Sequence, residues 1–321
     1  MRILIVKLSS LGDVVHAMPA AMDLQASLPG ARIDWVVERG FAPLVRCCTA
    51  VQRVVECEIR RWRRAPLARA TRAAWNAFRD ELGRDAYDAV IDLQGLTKSA
   101  LVARLAPLAP GGRRYALANR TAGSSYEAPT RWVADVAIPI APRTPAVARS
   151  RELCARALGY AVPAALGYGL VPPAAVPPPR EVALLHGSSR ADKLWPLDHW
   201  IAFGRRLIDA GCSVGLPHGS DEERARGAAI AEALGARAFV WPRLDLAALA
   251  GRLAAGAGAV GVDSGLSHIA VALDLPHVQI YNHDTAWRTG PGGSARQLSV
   301  VAQPTPSVEA VWEAWRRVAA A

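Results

Sequence analysis

The chain has 321 residues, of which 51% are hydrophobic, with 38 Lys and Arg against 28 Asp and Glu. That length suggests about two domains, each with its own core. No apolar run reaches the roughly 20 residues of a membrane span, and Met1–Ser9 lacks the apolar region and cleavage site of a signal peptide, so a soluble or peripheral cytoplasmic protein is expected. Five cysteines without a CxxC pair suggest neither a disulfide framework nor a zinc site. The charge is uneven: residues 1–160 carry 24 Lys and Arg against 14 Asp and Glu, while residues 161–321 carry 14 of each, so the whole formal charge of +10 lies in the first half. Such a half is suited to an anion, whether nucleic acid, a lipid surface or an acidic small molecule.

In chain order, RILIVK, IDWVV, VVECEI and YDAVIDL read as strands, and 13–28 and 67–82 between them carry helical spacing. Proline density in YAVPAALGYGLVPPAAVPPPRE forbids a regular helix or central strand. Alternation then resumes with VALLH, CSVGLP, ARAFVW, GAVGVD and HVQIYN as strands, and helices are predicted near 196–210, 221–234, 246–255 and 266–273. The pattern is α/β, doubly wound, in two Rossmann-like domains at 1–160 and 181–321, joined by a Pro-rich linker at 161–180.

Parallel sheets bind ligands beyond the carboxyl ends of their strands, and three motifs follow strands: SSLGD, HGSSRADK and DSGLSH. In the last, Ser264 and Gly265 open a helix whose free N–H groups and dipole favour phosphate, with His268 on its first turn; Asp263 or Ser264 as a plain cap is the simpler alternative. In HGSSRADK, the hydroxyls of Ser188 and Ser189 and a mobile Lys193 can stabilise charge on a departing phosphate. No GxxxxGK[ST] and no suitably placed GxGxxG occurs, which disfavours a P-loop NTPase or a nicotinamide dehydrogenase.

Six ordered segments, KLSSLGDVVHAMPA, WVVERGFA, IRRWRR, IDLQGLTKSA, HGSSRADKLWP and VDSGLSH, together resemble the lipopolysaccharide heptosyltransferases of glycosyltransferase family 9, in particular the branch that adds the first heptose. The resemblance implies a GT-B fold, with two Rossmann-like domains facing across a cleft, acceptor on the first and donor on the second. It implies inverting transfer of L-glycero-D-manno-heptose from an ADP-activated donor to the Kdo sugar of Kdo2-lipid A, at the cytoplasmic face of the inner membrane. It places a catalytic base on Asp13 and donor-phosphate contacts on Ser188, Ser189 and Lys193. A second donor loop falls on Asp263, Ser264, Gly265 and His268, a ribose contact on Glu223 with Glu222 adjacent, and an adenine neighbour on Leu244. Ser10, Arg60, Arg61, Arg63, Arg64, Lys98 and Arg120 are the candidates for the acceptor. Serine stands where the family usually has threonine at 188, 189 and 264, which keeps each hydroxyl. YNHDT at 281–285 departs from the family's Gly-Pro-containing loop, and none of its residues enters the candidate site.

A sugar hydroxyl is a weak nucleophile, and a carboxylate that accepts its proton fits Asp13. The alternative is that Asp13 caps a helix starting at Val14. The SSLG before it offers a flexible turn and hydroxyls near the acceptor, with Ser10 a supporting partner of the base. No cofactor or divalent metal is expected, since the phosphate loops offer hydroxyls, N–H groups and Lys193 rather than clustered carboxylates. Two other functions compete. One is a family 9 transferase acting on a different core sugar; the other is a nucleic-acid-binding protein in which Trp62 of RRWRR stacks on a base.

Overall fold

The computed structural model describes residues 1–321, which divide into two compact units, 1–169 and 170–321. The first holds β1 (Arg2–Val6), β2 (Arg32–Glu38), β3 (Arg53–Cys57), β4 (Tyr87–Asp92), β5 (Leu108–Leu117) and β6 (Val136–Ile138). The second holds β7 (Glu181–Leu185), β8 (Ser213–Leu216), β9 (Ala238–Val240), β10 (Gly258–Val262), β11 (His277–Tyr281) and β12 (Gln297–Val301).

Each unit is one parallel six-stranded sheet. The orders are β3-β2-β1-β4-β5-β6 and β9-β8-β7-β10-β11-β12, so the same winding is used twice. In both, the chain runs outward from the first strand, returns to its other side and runs outward again. The first strand therefore lies beside the fourth: Ile3 is in register with Ala89 in one sheet, and Val182 with Gly258 in the other. The loops after these two strands leave the sheet side by side and in opposite directions, which opens a crevice at the switch of strand order. SSLGD follows β1 and QGLTKS follows β4; HGSSRADK follows β7 and DSGLSH follows β10.

The central strands are apolar through their middles because helices cover both faces of each sheet. One core of the first unit packs Leu4, Val6 and Val90 against Phe78 and Leu82 of the helix Arg69–Leu82 and Val102 of the helix Thr97–Leu105. In the second, Trp195, Trp200 and Phe203 pack on Val182, Val214 and Val260, with the two tryptophans edge-on at 4.9 Å between centroids.

The unit boundary falls inside the Pro-rich segment, which contains no helix and only a bridging residue at Leu170. Its first part is bonded into the first unit: the Arg151 guanidinium donates to the Pro163 and Ala165 carbonyls at 2.7 and 2.8 Å, and Thr49 N–H to the Gly169 carbonyl at 2.8 Å. Arg151 is itself fixed by two hydrogen bonds to buried Asp23, at 2.6 and 2.9 Å. Four cysteines are buried and Cys47 is half-buried, all five as free thiols.

Candidate active site

Two clusters form, one at each crevice. In the first unit the helix after β1 spans Leu11–Ser27, with Ser10 as its N-cap in extended conformation. This corrects two expectations. The helix begins at Leu11 rather than Val14, so Leu11 and Gly12 are helical and not a flexible turn, and Asp13 is the third helical residue rather than the cap. Its carboxylate reaches back in the manner of a capping box. Oδ2 accepts the Ser10 N–H at 3.2 Å and the Ser10 hydroxyl at 2.7 Å.

Asp13 Oδ1 lies 3.9 Å from the ammonium of Lys7. Lys7 is buried at the end of β1 and donates to the Leu93 carbonyl at 2.9 Å. Burial pushes the Lys7 ammonium down to about 8 against the pull of Asp13. Burial also opposes ionisation of Asp13, but Lys7 and the Ser10 hydroxyl, helped by His16, overcome it and hold the carboxyl well below the usual carboxylate range. The result is a half-buried carboxylate that is ionised at neutral pH, with Oδ2 held by Ser10 and Oδ1 facing Lys7, a group that can accept a proton.

Ser9 gathers the neighbouring cations. Its hydroxyl accepts from Lys98 Nζ at 3.1 Å and from the Arg60 guanidinium at 3.4 Å. The loop is fixed from β4, where Gln94 Oε1 accepts the N–H groups of Leu8 and Ser9, both at 3.0 Å. The turn carrying Gln94 is itself shaped by buried Asp92, which accepts from the N–H groups of Gln94 and Gly95 at 2.8 and 3.2 Å and from the Ser99 hydroxyl at 2.9 Å. Burial raises Asp92 to about 6 despite these bonds.

The remaining acceptor candidates are distributed unevenly. Arg61 is bound by both carboxylate oxygens of Glu58 at 3.0 Å, while Arg63 and Arg64 are exposed. Arg120 is exposed and donates to the Ser124 carbonyl at 3.2 Å. Trp62 corrects the base-stacking expectation. It is buried against Trp75 and Phe78, each 5.5 Å away between ring centroids. RRWRR is therefore an amphipathic turn whose aromatic face is core.

In the second unit the loops after β7 and β10 meet through charge. Lys193 Nζ donates to Asp263 Oδ2 at 2.6 Å, and His268 Nε2 lies 3.4 Å from Asp263 Oδ1. Burial opposes the Asp263 charge, but His268 and Lys193 hold the carboxyl well below its ordinary range. Lys193 is thus a held cation rather than the mobile one expected. Asp263 is likewise a holder rather than a cap, because the helix Gly265–Ala272 takes Ser264 as its N-cap. The Ser264 hydroxyl makes no capping bond; its oxygen is buried and has no hydrogen-bond partner. It sits where the first N–H groups of that helix also lack intrahelical acceptors.

Ser188 accepts the Arg190 N–H at 3.3 Å, and Ser189 is exposed on the same turn. Glu223 belongs to the helix Asp221–Leu234, which Ser220 caps by accepting the Glu223 N–H at 3.2 Å. Glu223 Oε2 accepts the Gly219 N–H at 2.6 Å, and Oε1 lies over Gly187, where a Cβ would come within 2.2 Å of it. Glu222 is exposed on the same helix. Leu244 is half-buried just before the helix Leu246–Ala254.

Sequence reasoning passed over Lys7, Gln94 and Asn282. A lysine closing an apolar strand and a glutamine after β4 were visible signals. Asn282 lay in the YNHDT segment, and its amide nitrogen donates to the Asp192 and Leu194 carbonyls at 3.0 and 2.9 Å, fixing Lys193 between them.

Residues 75–312 match glycosyltransferase family 9 (heptosyltransferase). Lipopolysaccharide heptosyltransferase 1 of Escherichia coli (strain K12) is 40% identical over 287 residues, 88% of each chain. The structure of E. coli heptosyltransferase WaaC with ADP superposes with a TM-score of 0.86 at 36% identity, over 98% of both chains. The same enzyme with ADP-2-deoxy-2-fluoro heptose gives 0.83 at 35%, again over 98% of both.

Proposed function

The chain belongs to glycosyltransferase family 9, has a GT-B type fold and transfers heptose in assembly of the lipopolysaccharide core; we propose that the sugar passes from ADP-L-glycero-D-manno-heptose to a Kdo hydroxyl of Kdo2-lipid A. In this reading the domain at 181–321 holds the donor and the domain at 1–160 the acceptor.

The diphosphate lies on the start of the helix Gly265–Ala272. There the Ser264 hydroxyl, the free N–H groups and the Ser188 and Ser189 hydroxyls donate to it. Glu223 Oε1 accepts from the ribose, and Leu244 packs on the adenine. A β-phosphate at this point competes with Asp263 for Lys193, so the ammonium is already in place when charge grows on the leaving group. His268 keeps Asp263 compensated while the lysine is shared.

On the acceptor side, Lys98, Arg60 and Arg63 meet the Kdo carboxylates, with Arg64 and Arg120 further out. Arg61, engaged by Glu58, has the least to offer. The acceptor hydroxyl attacks the anomeric carbon from the face opposite ADP. Its proton passes to Asp13 as the new C–O bond forms, the bond to the β-phosphate oxygen breaks, and the electron pair leaves with ADP. A single displacement inverts the anomeric centre.

The observation that carries the reading is the half-buried carboxylate of Asp13, kept ionised by Lys7 and Ser10 at the start of its helix. No divalent metal is needed in this scheme, because the carboxylates beside the donor loops are already engaged, Asp263 by Lys193 and His268 and Asp192 by Arg190 and His283. No helix of the structure is long and apolar enough to cross a membrane, and a peripheral position on the cytoplasmic face of the inner membrane suits a lipid-borne acceptor. The test is to incubate the purified enzyme with ADP-heptose and de-acylated Kdo2-lipid A, with and without EDTA, and follow ADP release and product mass. One added heptose in both mixtures is expected. Product with a different core acceptor but not with Kdo would overturn the acceptor assignment, and loss in EDTA restored by magnesium would overturn the metal-free scheme.

A further inference from the structure

Glu38 closes β2 at the carboxyl end of the first sheet and has no part in the mechanism above. Strand β2 lies beside β1, with Val36 in register with Val6, and the Glu38 N–H donates to the Leu8 carbonyl at 3.1 Å. The residue is thereby tied to the loop that carries Ser9. It is only 8% exposed, and the one hydrogen bond its carboxylate accepts comes from the Arg60 N–H at 3.3 Å. Burial pushes the carboxyl above the ordinary glutamate value, while that N–H and the charges of Lys98 and Arg60 pull it back.

The acidic residues that follow it in sequence are served differently. Glu56 faces the guanidinium groups of Arg39 and Arg46, and Glu58 those of Arg39 and Arg61. Both are less buried than Glu38, which makes no ion pair. The two cations that act on Glu38 are turned to Ser9 instead, Lys98 Nζ and the Arg60 guanidinium donating to its hydroxyl at 3.1 and 3.4 Å. A buried carboxylate held by a single N–H is poorly compensated. A purely structural Glu38 would draw in the guanidinium of Arg60, as Glu58 draws in that of Arg61. One carboxylate and two cations are set separately around Ser9. A polyhydroxylated sugar acid fits such a set, its carboxylate on the cations and a hydroxyl on Glu38.

We propose that Glu38 is a specificity residue for the acceptor: it accepts a hydrogen bond from a Kdo hydroxyl other than the one that attacks, while Lys98 and Arg60 hold the sugar's carboxylate. The inference rests on the reading that the acceptor is a Kdo sugar. No proton leaves that hydroxyl, so Glu38 selects the substrate and Asp13 remains the base. The test measures kcat/KM for the native enzyme, Glu38→Gln and Glu38→Ala with de-acylated Kdo2-lipid A and with analogues of it that each lack one non-reacting hydroxyl of the accepting Kdo. The native enzyme should discriminate against one analogue by about 10- to 150-fold, the worth of a hydrogen bond to a charged group. Glu38→Gln keeps a single acceptor oxygen, engaged by the Arg60 N–H, and Glu38→Ala keeps none. Both variants should therefore treat that analogue and the parent alike. Their loss on the parent should appear as a raised acceptor KM, with calorimetric affinity for ADP-heptose unchanged. Equal native activity on every analogue overturns the assignment. So does a loss that is the same for all acceptors, leaving the native ratios intact, which would make Glu38 a support of Arg60 or a second base. Native transfer to another core sugar and to no Kdo acceptor overturns the acceptor reading and this one together.

Discussion

The two units wind their strands in the same order and place a lysine and an aspartate at the same switch point, but with the roles of the pair exchanged. At the first crevice the lysine is buried and the acid reaches solvent: Lys7 is 2% exposed and Asp13 40%, 3.9 Å apart. At the second the acid is buried and the lysine reaches solvent: Asp263 is 5% exposed and Lys193 20%, at 2.6 Å. Topology supplies the meeting point and burial selects the acting group. In the proposed mechanism a buried cation keeps a half-buried carboxylate ionised for a proton, whereas a buried carboxylate positions a half-buried cation for a phosphate. The charge budget of each half follows the same division, since only the first carries an excess of Lys and Arg.

Removing the exposed cation is the strongest blow to the second crevice. Lys193→Ala should slow turnover at saturating donor about 10- to 150-fold, the worth of a charged hydrogen bond of about 1.5–3 kcal/mol; native-like kcat would remove Lys193 from the leaving-group side. Ser264→Ala should do less. Its hydroxyl has no partner in the free protein, so the melting temperature should hold while the KM for ADP-heptose rises about 2- to 13-fold, the range for one hydrogen bond of about 0.5–1.5 kcal/mol. A drop in melting temperature with unchanged KM would make the hydroxyl structural.

Lys7→Met should have the smallest effect at neutral pH and show mainly in the pH profile. Without the ammonium, the ionised form of Asp13 is less favoured and its pKa rises, by about 1–3 units for loss of an adjacent opposite charge. The acid limb of kcat/KM should therefore move to higher pH. An unmoved limb would mean that the two side chains are not coupled in the working enzyme.

Much of this was legible because strand ends carry the chemistry. Apolar runs located nine of the twelve strands, all but β5, β6 and β12, closely enough to place SSLGD, HGSSRADK and DSGLSH at carboxyl ends. The connection through β5 was hidden by Pro110, Gly111, Gly112 and two arginines, and β6 is only three residues long. Pairing is what a linear reading misses. Lys193 meets Asp263 across 70 positions and Lys98 meets Ser9 across 89, contacts fixed by strand order rather than by local pattern. Trp62 was misread for the same reason, since its partners Trp75 and Phe78 lie on the next helix. The helix start at Leu11 was missed because Ser10, and not Asp13, adopts the extended cap conformation.

The division of labour between the two pairs rests on Asp13 as the base, and Asp13→Asn tests it most directly because asparagine keeps the shape and an acceptor oxygen for Ser10. Single-turnover transfer should be measured alongside calorimetric binding of ADP-heptose and the melting temperature. With the base removed, transfer should fall about 10²–10⁴-fold, while donor affinity and melting temperature stay near native. Retention of more than about a tenth of native transfer, a loss smaller than that expected of a general base, would contradict the assignment and leave Asp13 as the partner of Ser10 at the start of its helix.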